Sequence, residues 1–225
     1  MKTVWEWLQS RLGLKEIWEA LFARHIPEAE GWVGWLYTLG SASLFIFLVQ
    51  FVTGALLAMN YVPSPEHAYD SIRFIEQQVL MGSWVRGLHH WGASLMVIAV
   101  ILHLLRVFWM GSYKYPRETT WMTGIFLFLI VMGFSFTGYL LPWDQKAYWA
   151  TMVGVNISSQ APVIGSYIAK VLKGGDEMGA LTLTRFYAIH VLVLPALIGL
   201  ALLAHLFLVV WHGISDAPKR SKKTD

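Results

Sequence analysis

An all-α membrane protein is the fold class predicted by this sequence. Four transmembrane helices form a bundle, preceded by an amphipathic helix lying on the membrane surface. Three observations carry the prediction. The chain is 56% hydrophobic and only 14% charged, well away from soluble norms. Four apolar stretches reach the roughly 20 residues that a helix needs to cross a bilayer. Trp and Tyr gather at their ends, where amphipathic rings favour the membrane–water interface.

Residues 1–30 come first. They read MKTVWEWLQSRLGLKEIWEALFARHIPEAE, amphipathic and charged, with no uninterrupted apolar core of the kind a cleaved signal peptide needs. Trp5, Leu8, Leu12, Ile17, Trp18 and Leu21 are placed to rest on the interface. The bundle domain is expected over 31–214. Its first span runs from Val33 to Met59, and Pro63 and Pro65 then break the chain. The second runs from Leu88 to Met110 and ends in the short basic loop SYKYPRETT. The third covers Trp121 to Leu141 and the fourth Tyr187 to Trp211. Between these two lies a connection of 45 residues that includes amphipathic material, AYWATMV and IGSYIAKVL. Trp35, Tyr61, Trp109, Trp121, Tyr139, Trp143, Tyr187 and Trp211 supply the aromatic belt. A basic tail, 215–225, closes the chain.

Charge sets the orientation. Eleven Lys and Arg residues fall on the side of the termini and the second–third loop, against six on the other side. The positive-inside rule then places both termini in the cytoplasm of a bacterial-type cell membrane. The net charge of +3 sits at helix ends and implies no nucleic-acid partner. Cysteine is absent, which excludes disulfides, iron–sulfur ligation by this chain and thioether-linked haem.

Four histidines stand out on the apolar helices. His89 and His103 are 14 residues apart in the second span; His190 and His205 are 15 apart in the fourth. At ~1.5 Å and ~100° per residue, these spacings rise about 21–22 Å and turn by roughly −40° and +60°. Each pair therefore lies near one helix face. Spans two and four run in the same direction, so His89 matches His190 in depth near the outer face and His103 matches His205 near the inner face. A lone histidine on an apolar face is ordinarily a hydrogen-bonded core residue. Four at matched depths in lipid, where ionisable groups are costly and functional, suit two bis-histidine haems. Zinc would need a compact cluster of ligands instead. His90 points about 100° away from His89 and reads as a neighbour; His25 and His67 lie in an arm and a loop. The expected architecture is thus a dihaem four-helix bundle.

Small and basic residues support it. Gly40 and Gly54 in span one, and Gly124 and Gly138 in span three, repeat the 14-residue spacing and leave room for a flat macrocycle; close helix packing through small residues is the alternative. Arg86, three residues before His89, and Arg106, three after His103, are placed to pair with haem propionates or to snorkel to the interface.

GLHHWGASLMVIAVILHLLRVFWMGSYKYPRETTW, TGYLLPWDQKAYWA and LTRFYAIHVLVLPALIGLALLAH resemble cytochrome b of the bc1/b6f family, over nearly the whole chain from Trp35 to Pro218. The 15-residue spacing in the fourth span and the stop after four spans are similar to the split cytochrome b6-like N-terminal half. The resemblance implies the dihaem subunit of a quinol:cytochrome c (or plastocyanin) oxidoreductase, working in a respiratory chain by a proton-translocating Q cycle. His89 and His190 would ligate the low-potential outer haem, His103 and His205 the high-potential inner one, and Arg86 and Arg106 would meet propionates. Tyr139, Pro142, Trp143, Ala150, Val153 and Ile164 fall in the region lining the outer quinol-oxidation pocket. His212 and Asp216 fall near the inner quinone-reduction site. The implied cofactors are two non-covalent b-type haems, with quinone as substrate. The implied partners are a subunit-IV-like chain, a Rieske iron–sulfur protein and a c-type cytochrome in a dimeric complex.

Two departures are visible. Thr38 occupies the place of the family's haem-anchoring cysteine, so no covalent third haem is expected through Cys. Ala150 follows Trp149 where mitochondrial-type chains have glycine, a position at which alanine obstructs methoxyacrylate inhibitors. From the residues alone, two other readings stay open: a dihaem anchor of a membrane dehydrogenase or hydrogenase, and a structural or haem-handling membrane protein. PWDQKAYWA and the long third loop have no role in the first; unpaired histidines would mark the second.

Overall fold

A computed structural model of the protein describes residues 33–215 continuously, with Thr3, Val4, Glu6, Gln9, Arg11 and Lys15 before them. The apolar residues of the predicted surface helix and the tail from Asp216 onward lie outside the described residues. Every regular element among the described residues is helical.

The first predicted span is two pieces. A single turn, α1 (Val33–Leu36), is followed by α2 (Leu39–Ala58). At Tyr37 and Thr38 the backbone N–H groups bond three residues back, to Gly34 and Trp35, which tightens the chain and resets the helix. After Pro63 and Pro65 the chain forms α3 (Ala68–Gln77), an element hidden from hydropathy because it is largely polar. Its Ala68, Ser71 and Ile75 make one buried stripe at helical spacing against α4 (Gly82–Trp109).

α4 begins six residues earlier than predicted. Met81 takes a left-handed conformation, φ 57°, to turn the chain into it. A Cβ on Gly82 would stand 1.8 Å from the Ile75 carbonyl oxygen, so only glycine fits beneath this turn. α5 (Glu118–Leu140) follows, then α6 (Gln145–Ser159) and α7 (Gly165–Lys173) in the long connection, both where amphipathic segments were expected. The Asp144 side chain accepts from Ala147 N at 2.8 Å and caps α6.

The fourth span is longer than its apolar run: α8 (Ala180–Ala188), a π-helical segment Ile189–Val193, and α9 (Leu194–His212). Leu183 and Phe186 of α8 are fully buried, and the interspersed Thr and Arg disguise this in the sequence. The π-segment has a local cause. Leu194 N–H bonds to Ile189 O, five residues back rather than four, and the next residue, Pro195, has no N–H to donate to Val191 O. A π-bulge takes up one extra residue without a further helical step. The 15-residue interval from His190 to His205 is thereby brought level with the 14-residue interval in α4. The +60° offset expected of a straight helix is corrected by this bulge.

α2 packs chiefly against α4, and α5 against α9. Met96, Ile130, Val131 and Ile198 form a buried cluster midway between the two histidine levels. A second cluster, Leu140, Val155, Ala169, Met178 and Phe186, fastens α6 and α7 to the end of the bundle. At the other end Arg117 donates Nε–H to Gly213 O at 3.0 Å, Tyr37 OH donates to Ser215 O at 3.3 Å, and the Ser112 and Ser215 hydroxyls meet. Most large apolar side chains point outward, among them Leu200, Leu203, Phe207 and Trp211 on α9, as lipid or partner chains require. Among the described residues, four helices are long and apolar enough to cross a membrane.

Candidate functional site

His89 and His103 of α4, His190 of the π-segment and His205 of α9 each meet the neighbouring helix at a glycine. A Cβ placed on Gly54 would lie 3.1 Å from His89 Cε1, and on Gly40 3.2 Å from His103 Cε1. On Gly138 and Gly124 it would lie 2.7 Å and 3.4 Å from His190 and His205 Cε1. The four glycines therefore admit imidazole rings close to the α2 and α5 backbones. Gly40 and Gly54 repeat the 14-residue spacing of His89 and His103, while Gly124 and Gly138, also 14 apart, answer histidines 15 apart, the π-segment taking up the extra residue.

Threonine was not foreseen as part of this site. The residue before three of the four glycines is Thr, and its hydroxyl lies against the same histidine: Thr53 Oγ1 is 3.0 Å from His89 Nδ1, Thr137 Oγ1 3.0 Å from His190 Nδ1, and Thr123 Oγ1 2.9 Å from His205 Nδ1. Each hydroxyl also donates to a backbone carbonyl of its own helix: Thr53 to Val49 O at 2.6 Å, Thr137 to Gly133 O at 2.8 Å and Thr123 to Thr120 O at 2.9 Å. With its hydrogen spent there, the oxygen accepts from Nδ1–H. That bond selects the tautomer whose Nε2 carries the lone pair, the form that ligates a metal. The Thr–Gly dipeptide, recurring at 53–54, 123–124 and 137–138, was the available signal. The fourth step is Leu39–Gly40, and His103 Nδ1 is buried without a partner.

The rings pair across the bundle. His89 and His190 have centroids 6.4 Å apart with planes at 76°. Two metal–imidazole bonds of about 2 Å and two ring radii of about 1.1 Å span about 6.2 Å. The gap thus has the width that one iron atom between two imidazoles requires. At the second level His103 and His205 face Gly40 of α2 and Gly124 of α5. The residues fit two bis-histidine haems. No group of three or more His, Cys, Asp or Glu suited to a bare metal ion occurs among the described residues.

The arginines differ. Arg106 has buried Nε and Nη2 atoms without partners, and its guanidinium lies 3.8 Å above the Tyr37 ring. A buried, unpaired cation is costly, and an anionic group such as a propionate would satisfy it. Arg86 is instead ion-paired with Glu76 of α3, a partner that the sequence did not announce.

The residues expected around a quinol pocket do not enclose one. On α6, Ala147, Thr151 and Val155 face inward and are buried, while Ala150 and Val153 lie on the exposed face. Ile164 and Tyr139 are also exposed. Trp143 has φ 51° and packs edge-on against Tyr148; Pro142 precedes it. Tyr61 OH donates to Leu141 O at 2.6 Å, and burial followed by the neighbouring Tyr187 pushes its pKa well above the ordinary phenol value. At the opposite end of the bundle, Thr120 Oγ1 lies 3.2 Å from His212 Nδ1. Asp216 is outside the described residues.

Known proteins resemble this chain. A family model described as cytochrome b/b6/petB matches residues 27–213. The menaquinol:cytochrome c reductase cytochrome b subunit of Bacillus subtilis is 40% identical over 220 residues, covering 96% of this chain and 98% of the relative. Cytochrome b6 of Synechococcus elongatus is 41% identical, covering 96% and 99%. A chain of a hyperthermophilic respiratory complex III superposes with a TM-score of 0.84 at 26% identity; the match covers 98% of this chain and 59% of that one. With paired histidines on a four-helix membrane bundle and matches over nearly its full length, the chain belongs to the cytochrome b/b6 family.

Proposed function

We propose that this chain is the dihaem subunit of a quinol:electron-acceptor oxidoreductase, carrying electrons from an outer quinol-oxidation site to an inner quinone-reduction site. The observation that carries the reading is the 6.4 Å separation of the His89 and His190 rings, with both Nδ1 atoms held by threonine. His89 and His190 serve as ligands at the outer level, His103 and His205 at the inner. Haem bound at each level supplies a one-electron carrier. The chain's own part is to hold the imidazoles in the ligating tautomer, to keep water out through the Met96–Ile198 cluster, and to offer Arg106, and Arg86 if it leaves Glu76, to propionates.

The 31–214 bundle domain carries this function, with the termini in the cytoplasm. Ala150, Val153, Tyr139, Pro142, Trp143 and Ile164 form one wall of the outer quinol site. The exposure of Tyr139, Ala150, Val153 and Ile164 is what supports a second wall from a subunit-IV-like chain. At the inner end, His212 takes the quinone side, its Nδ1 engaged by Thr120, and Asp216 follows it in sequence. A Rieske iron–sulfur protein and a c-type cytochrome accept the electrons that do not travel inward, in a dimeric complex. Redox titration of the purified chain tests the reading: two b-type waves are expected, and none would refute it. Co-purification of a Rieske protein then separates this function from that of a dehydrogenase anchor.

A further inference from the structure

The four ligand histidines are supported unequally. At the outer level both Nδ1 atoms meet a hydroxyl, Thr53 for His89 and Thr137 for His190. At the inner level only His205 has one, Thr123; His103 Nδ1 is buried with no partner. The cause is one side chain. Gly54 and Gly40 stand in nearly the same relation to their rings: a Cβ would lie 3.1 and 3.7 Å from His89 Cε1 and Nδ1, and 3.2 and 3.6 Å from His103 Cε1 and Nδ1. The preceding residue, Thr53 in one case and Leu39 in the other, therefore occupies an equivalent place. Leu39 has no oxygen to offer.

An acceptor on Nδ1–H draws the proton away, makes the imidazole a stronger donor to the metal, and so favours ferric over ferrous iron. A ligand without that acceptor leaves the metal easier to reduce. We propose that Leu39, standing where a threonine would, is a positioning residue that raises the reduction potential of the inner site above that of the outer one. The Thr53–Thr137 pair depresses the outer site, so that transfer from outer to inner level runs downhill. This rests on the two-haem reading above.

The test is a redox titration of b-type absorbance in membranes holding the assembled complex. Leu39→Thr is expected to move the inner wave negative, raising its ferric:ferrous ratio at fixed ambient potential roughly three- to tenfold, on the scale of one hydrogen bond, with the outer wave unmoved. Thr53→Val, nearly isosteric, is expected to move the outer wave positive by a similar factor, and Thr53→Ser to restore it. A role in packing alone would not produce opposite shifts at separate waves. If Leu39→Thr does not assemble, Thr53→Val decides alone: an unmoved outer wave overturns the proposal. Two waves that stay in place in both variants overturn it while leaving the two-haem reading intact. Fewer than two waves in the unsubstituted protein overturn both.

Discussion

His190 Cε1 lies 2.7 Å from where a Cβ on Gly138 would stand, the tightest of the four glycine–histidine contacts in the bundle. Real Cβ atoms do not approach so closely, so the ring or the helix must move when one is added. Gly138→Ala should therefore displace His190 and deplete the outer haem, with an overpacking cost of about 1–3 kcal/mol. Gly124→Ala, whose Cβ would stand 3.4 Å from His205 Cε1, should retain both haems. Gly199→Ala, which meets nothing within 4 Å, serves as a control. Haem-to-protein ratios in the purified variants check the order.

His103→Leu should remove the inner haem and spare the outer. One imidazole cannot hold low-spin iron by itself, and the other level lies about 21 Å away along the helix. Low-temperature difference spectra distinguish the two sites. Loss of both haems, or of neither, would contradict the ligand assignment.

Thr38 stands in the turn between α1 and α2 with its hydroxyl donating to Trp35 O at 2.7 Å. The chain has no cysteine, so denatured protein should carry no thioether-bound haem. Peroxidase staining on a denaturing gel checks this, and a stained band at the mass of this chain is the adverse result.

Ala150 presents its methyl group on the exposed side of α6, where a quinol-site ligand would meet it. Ala150→Gly in the assembled complex should increase sensitivity to methoxyacrylate inhibitors, because a packed site feels even one methyl group. Inhibition curves for quinol oxidation with both versions provide the check; equal curves would put Ala150 off the pocket.

Removing the arginine at 106 tests the anion site. Arg106→Gln keeps polar contact with the pocket but loses the charge that Tyr37 now faces. Haem at the inner level should dissociate more readily on dilution or mild detergent treatment, and the outer level should be unaffected. Equal retention at both levels would assign Arg106 to helix packing.

Spacing and composition were enough to predict four helices of membrane-spanning length and to set four of the histidines at two levels. Both follow from helix geometry and from the poor solvation of polar groups in lipid, which act on residues near one another in sequence. Tyr187 as the start of the fourth span, and the offset expected between His190 and His205, followed the same rules and needed correction. The hydropathy pattern did not show that Leu183 and Phe186 are buried as α8 packs against α5 and α7, nor that a π-segment precedes Pro195. The polar α3 was hidden for a similar reason, since its burial depends on α4. Thr53, Thr123 and Thr137 were plain in the sequence, yet nothing local distinguishes a threonine bonded only to its own helix from one that also holds an imidazole. That distinction, and the unsupported His103 beside Leu39, arise only when α2 is brought against α4 and α5 against α9, because a hydrogen bond needs atoms within about 3 Å and only packing sets that distance.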